Sequence, residues 1–232
     1  MNRYQAEAAR PLAVAGESAN DVLWVTYRWM SVGLGITGLV AWLVSQSPDA
    51  LALFVGNRIV FYGLLIAQLG LVFAFSSVAA RSTTAVVAAM FFVYAGITGL
   101  TFSILFLLYT SSSIASTFLV TAGTFAGISV FGAVTKRDLS SVGRFALFAL
   151  IGLIIASVVN VFLHSTGLMW LTTFAGILIF AALTAYDTQK LKAMYAAGVG
   201  GNLALRGALT LYLDFINMFL FLLRIFGQRN RS

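Results

Sequence analysis

Asp187, in the run LTAYDTQKL, and Asp214, in LTLYLDFINMFL, are acids set among leucines, phenylalanines and isoleucines. An aspartate at the centre of a bilayer costs about 2.5–3.5 kcal/mol on insertion scales, so its presence demands a partner or a purpose. Two carboxylates in one low-dielectric site cannot both stay ionised cheaply; they hold a proton between them and titrate as a unit. When the proton leaves, the pair either repels or takes a cation, and hard carboxylate oxygens suit calcium. Asn217, three residues after Asp214, falls on the same helical face and offers an amide oxygen as an auxiliary ligand. The chemistry these residues can do together is that of a pH-sensitive cation gate, with Asp187 and Asp214 as sensor and cation site. The simpler role for Asp187 alone is a helix-end carboxylate paired with Lys190 or Lys192. The other acids, Glu7, Glu17, Asp21, Asp49 and Asp138, fall in the tail or in loops, where they read as solvated charge.

Other chemistries lack their residues. With no cysteine there are no disulfides, thiolate metal sites or catalytic thiols, and a single histidine, His164, makes a histidine-based metal cluster improbable. Intramembrane aspartyl proteases pair a YD element with a GxGD element; Tyr186-Asp187 fits the first, but Leu211-Tyr212-Leu213-Asp214 lacks the glycines that admit a substrate backbone. An intramembrane serine protease needs Gly-x-Ser-Gly, and Gly127-Ile128-Ser129-Val130 lacks the final glycine. The expectation is a protein that is not an enzyme and needs no organic cofactor. A net charge of +7 could suggest nucleic acid, but in a membrane chain basic residues mark cytoplasmic loops, so no nucleic-acid partner is expected.

The elements that must carry these acids are membrane helices. The chain is 60% hydrophobic and 9% charged, against about half and about a quarter in soluble domains. Apolar runs long enough to span lie at 27–46, 59–79, 84–109, 114–134, 145–163, 168–187 and 207–226. These predict an all-α, seven-helix transmembrane bundle over 25–227, with a soluble N-terminal tail over 1–24 and a basic tail over 228–232. Asp187 then closes the sixth span and Asp214 lies about a third of the way into the seventh. Basic residues fall mostly at Arg3, Arg10, Arg28, Arg81, Lys136, Arg137, Arg144, Lys190, Lys192 and Arg206, which places the N-terminus inside; the opposite loops hold only Arg58. Seven full spans leave Arg224, Arg229 and Arg231 on the outer side, against the rule. GITGL occurs at 35–39 and 96–100, a repeat better explained by chance or shared packing than by duplication. Gly123 and Gly127 have small-xxx-small spacing, which predicts close helix packing. Gln68 predicts an interhelical hydrogen bond, His164 an interfacial position, and Trp24, Trp29, Tyr109 and Trp170 read as interface belts.

TAYDTQKLK at 184–192, with GALTLYLDFINMFLFLLRIFG at 207–227, resembles the signature of the transmembrane Bax inhibitor motif family, and TKRDLSSVGRF at 135–145 resembles its loop between helices four and five. The likeness extends over essentially the whole chain and is strongest to the bacterial inner-membrane branch. The resemblance implies seven helices with the last one central, and a pH-sensitive calcium leak gated by an aspartate pair that matches Asp187 and Asp214. It also implies an arginine latch near the cytoplasmic end of helix two, for which Arg81 is the nearest candidate. Tyr186 and Tyr212 are expected to pack around the pair. A second family theme is the binding of other membrane proteins, including modulation of a membrane protease, with no transport of its own.

Overall fold

The structure, a computed structural model, describes residues 19–230. The expected tail before that, with Arg3, Glu7, Arg10 and Glu17, lies outside the described residues, as does Arg231. Seven long helices run α1 (Ala19–Ser45), α2 (Arg58–Arg81), α3 (Thr84–Leu108), α4 (Ser111–Val134), α5 (Ser140–Leu163), α6 (Thr166–Ala196) and α7 (Leu203–Phe226), all apolar and long enough to cross a membrane. Lipid offers no partner for backbone N–H and C=O groups, and a helix satisfies its own. Between α1 and α2 the chain makes a short helical turn, Pro48–Leu51, continued by a wider π-helical turn, Ala52–Gly56. The helices that start at the α1–α2, α3–α4 and α5–α6 turns are each capped by a side chain. Asn57 Oδ1 accepts from Ile59 and Val60, Thr110 Oγ1 from Ser113, and Ser165 Oγ from Leu168.

The last helix is the axis. α7 has the largest buried share of the seven and α2 the smallest. It packs on α1, α2 and α3 on one side and on α4 and α6 on the other, while α5 leans on α6. Phe118 and Phe125 of α4 interlock with Phe215 and Phe219 of α7. Tyr212, fully buried, meets Phe91 and Tyr94 of α3 edge-on. Its hydroxyl donates to Thr37 Oγ1 at 2.6 Å, because the Thr37 hydroxyl is already committed to the carbonyls of Gly33 and Ala95. The GITGL copies meet across α1 and α3: a Cβ on Gly99 would stand 2.8 Å from the Thr37 carbonyl oxygen. Of the glycines in the two copies only Gly99 makes such an approach; Gly35, Gly38 and Gly96 have nothing within 4 Å. Gln68 makes the expected interhelical bonds, donating to Thr101 Oγ1 and accepting from Thr98 Oγ1.

Three expectations need correction. α1 already covers residues 19–24, which were assigned to the tail, because Val22 and Leu23 pack with Leu191 and Leu203 in a separate apolar cluster. For the same reason α6 does not stop at Asp187. It continues to Ala196 through Leu191 and Met194, whose helical spacing feeds that cluster, so Asp187 lies inside the helix rather than closing it. Finally, Gly123 and Gly127 face away from the bundle, with nothing within 4 Å of where a Cβ would stand. Their spacing carries no helix contact.

The seventh helix crosses fully. After Phe226 the chain turns onto the α3–α4 junction, where Thr110 donates to the Gln228 carbonyl and Gln228 to Ser113 Oγ. Asn230 Nδ2 reaches the carbonyls of Phe106 and Leu107, capping the last turn of α3. This end is opposite to the one carrying Lys136 and Arg137, as seven spans require. Trp24 is exposed at one membrane boundary; Trp170 stacks on Phe174 at the other. His164 ends α5 exposed, in the left-handed region at φ 50.

Candidate functional site

The YD motif is held by contacts to two neighbouring helices, α4 and α5, and to the loop between them. Tyr186 lies against Gly143 of α5, where any side chain would collide with its ring, and Lys190 Nζ stands 5.6 Å above that ring. Gln189 clamps the α4–α5 loop, accepting from Leu139 N at 2.9 Å and donating to the Arg137 carbonyl at 2.8 Å. Lys192 Nζ donates to the Ala133 carbonyl at 2.8 Å, capping the end of α4. In that loop Asp138 accepts from Ser140 N–H at 2.8 Å, and this bonding to Ser140 holds its carboxyl below the usual range. The backbone before Asp187 is fixed just as firmly: Gly132 of α4 lies against the Ala185 carbonyl with no room for a Cβ.

So anchored, Asp187 turns toward α7. It lines a cavity of about 250 Å3 between α2, α6 and α7, large enough for several waters. Lys190 and Arg206 line the same cavity, with Ser76 from α2 and Thr210 from α7. Asp214 sits behind Asp187, only 4% exposed, with its Oδ2 lacking any hydrogen-bond partner. The two carboxylates act on each other electrostatically, and the Lys190 charge acts on Asp187. Asp187 lines the cavity while Asp214, from the neighbouring helix, does not reach its wall. An oxygen that is desolvated and unpaired is costly, and a proton shared with, or a cation held by, its neighbour removes the cost.

The remaining candidates are placed differently. Asn217 donates from Nδ2 to the Leu213 carbonyl of its own helix and does not line the cavity. Tyr212 faces Thr37 and α3. Arg81 ends α2 exposed, outside the cavity wall, so the structure does not bring the expected latch to Asp187. The cations that are brought there are Lys190 and Arg206. Sequence reading passed over Arg206 as one more loop charge, yet it lies two turns before Asp214, and Lys190 follows Asp187 by three residues, spacings that hold side chains near one face. Lys192, the other cation considered for pairing with Asp187, is committed to Ala133.

One wall of the cavity is weakly attached. α2 buries only Phe75 and Ala79. At its last turn Asn202, the residue before α7, donates from Nδ2 to the Ala79 and Ser82 carbonyls at 3.0 Å each. Asn202→Ala is expected to cost about 1–2 kcal/mol of stability and to raise deuterium exchange at residues 76–82 while leaving α7 protected.

The chain matches the family described as "Inhibitor of apoptosis-promoting Bax1" over residues 19–231. It belongs to that family. Inner membrane protein YbhL of Escherichia coli K12 is 49% identical over 209 residues, covering 88% of this chain and 89% of YbhL. An uncharacterized protein of Deinococcus radiodurans is 47% identical over 209 residues, with 88% and 89% covered. One of Borreliella burgdorferi is 40% identical over 218, with 92% and 94% covered. The resemblance read from TAYDTQKLK and LYLDFIN is thus borne out. Tyr186, Gln189 and Lys192 fasten the segment around Asp187 to α4, α5 and their loop.

Proposed function

We propose that this protein is a pH-sensitive cation leak, with calcium as its physiological substrate, in a bacterial inner membrane. The observation that carries the reading is a desolvated, unpaired carboxylate, Asp214, behind a second carboxylate that opens on a polar cavity. With a shared proton the pair is hydrogen bonded and α6 is held to α7. Without it, two negative charges face each other in a low dielectric, and a divalent cation is the species that best relieves both. Lys190 and Arg206 line the same cavity, so an entering cation meets their positive charge on the way to Asp187. The inner-membrane location rests on the likeness to the inner membrane protein YbhL, and the N-terminus-inside orientation on the basic residues at the α2–α3, α4–α5 and α6–α7 ends.

The test is calcium uptake into dye-loaded proteoliposomes across an acid-to-alkaline series. Wild type should pass calcium at a rate that varies with pH, and Arg206→Gln should raise the rate by removing a competing cation. A folded wild type that passes no calcium at any pH ends the leak reading. The protein would then act as a regulator binding other membrane proteins, without catalysis or transport of its own.

A further inference from the structure

α1 and α4 both rest on α7 but do not close on each other, and a groove of about 1210 Å3 remains between them, floored by Phe215. It exceeds the roughly 300–1,000 Å3 of most small-molecule pockets. Along α1 it runs from Leu23 to Trp42, about 28 Å at 1.5 Å per residue, close to the roughly 30 Å of a bilayer's hydrocarbon core. Small residues stand among the larger apolar ones on its walls: Ser31, Gly35 and Gly38 on α1, Ala122, Ala126 and Ser129 on α4. At Gly35 and Gly38 nothing lies within 4 Å of where a Cβ would stand, so the groove is open space and not a helix seam. Ser129 is 3% exposed and its Oγ has no hydrogen-bond partner, a buried polar group on the groove wall that the bundle itself does not satisfy.

The surroundings of the groove decide its occupant. The helices that form it cross a membrane, its lining is overwhelmingly apolar, and an apolar hollow excludes water. Acyl chain is the fluid that can reach it sideways. One mouth also carries basic side chains. Arg28, exposed, lies on the α1 stripe that contains Trp24, Ser31 and Gly35, and Lys136 and Arg137, both exposed, follow the end of α4 just beyond Ala133. Asp138, the acid beside them, is turned to Ser140 N–H. Basic side chains at the rim of an acyl groove complement a lipid phosphate, each contributing as juxtamembrane cations do.

We propose that the groove between α1 and α4 is a binding site for an anionic phospholipid. Its acyl chains lie along Gly35, Gly38, Ala122 and Ala126, and its phosphate rests between Arg28 and Lys136. The site lies across α7 from the aspartate pair and does not depend on the leak reading.

The test uses the full chain in vesicles of phosphatidylethanolamine and phosphatidylglycerol whose acyl chains carry a diazirine. The protein is extracted, washed free of loosely held lipid, and only then illuminated. Label should map to the α1 and α4 groove residues and spare the exposed face of α5 at Ile151 and Ile155, and the retained lipid should be enriched in phosphatidylglycerol. Gly35→Phe, whose ring enters open space, should cut retention about 10-fold, equivalent to about 1.4 kcal/mol. Arg28→Gln or Lys136→Gln should lower the phosphatidylglycerol preference about 5-fold while leaving the amount retained unchanged. Label spread evenly over the groove and α5, or loss of all lipid in the wash, would mean boundary lipid only and overturn the proposal. Disulfide dimers of Gly35→Cys, read cleanly because the chain has no cysteine, would overturn it in favour of a second copy in the groove.

Discussion

Asp214→Leu is expected to stabilise the bundle while abolishing calcium flux. The side chain is 4% exposed, at the centre of the most buried helix, and one carboxylate oxygen has no partner. Burying a polar atom without a hydrogen bond costs roughly 1–3 kcal/mol in proteins; leucine removes that cost and buries more apolar surface, its larger volume offsetting part of the gain through overpacking. The surrounding wall is already apolar, with Leu211, Phe215 and Met218 buried beside it on α7. A gain of about 2 kcal/mol should appear as a higher melting midpoint in detergent. The same substitution removes the gate's second carboxylate, so flux and its pH dependence should vanish together. Stability gained where activity is lost is the signature of a residue kept for function. A fall in stability would instead assign Asp214 a structural partner.

Gly132→Ala should be the most damaging single methyl in the chain. Its Cβ would be driven into the Ala185 carbonyl, and the Ala185 Cα would stand only 2.9 Å away. Backbone cannot swing aside as a side chain can, so α4 and α6 must separate, at about 3 kcal/mol. Because Ala185 precedes Asp187 by two residues, the displacement should also disturb the carboxylate pair. Two companions calibrate the effect. Gly143→Ala meets the Tyr186 ring, which can rotate, and should cost less. Gly123→Ala points into open space and should be neutral or stabilising by about 0.5–1 kcal/mol through helix propensity. Melting midpoints in the order Gly123→Ala, Gly143→Ala, Gly132→Ala would confirm the packing; a severe Gly123→Ala would contradict it.

The seven spans were legible because lipid makes hydrophobic length a direct reading of a helix, and the two aspartates because acids are so expensive there. Asp187 and Asp214 stood out in the sequence as the two acids set within apolar runs. What escaped was decided by three-dimensional packing. The extension of α6 past Asp187 depends on Leu191 meeting Val22 and Leu23, residues far away in the chain. Arg206 looked like a loop charge until the cavity placed it beside Asp187, while Arg81, the nearest residue to an expected latch, ends its helix exposed. Gly123 and Gly127 carried a packing motif whose direction no spacing rule specifies. Which way a small face points is set by the rest of the bundle. Gln189 and Lys192 were invisible as fasteners because their partners are backbone carbonyls and an amide, which every residue but proline offers alike.

The gate itself is tested most directly by comparing Asp214→Asn with wild type in calcium-loaded flux assays from about pH 6 to about pH 8, since asparagine mimics the permanently uncharged acid without changing its size. A folded Asp214→Asn protein should show flat flux across the series, equal at alkaline pH to the wild-type value at acid pH, and Asp187→Asn should flatten the profile as well. Wild-type pH dependence that persists in both variants would contradict the aspartate pair as the sensor.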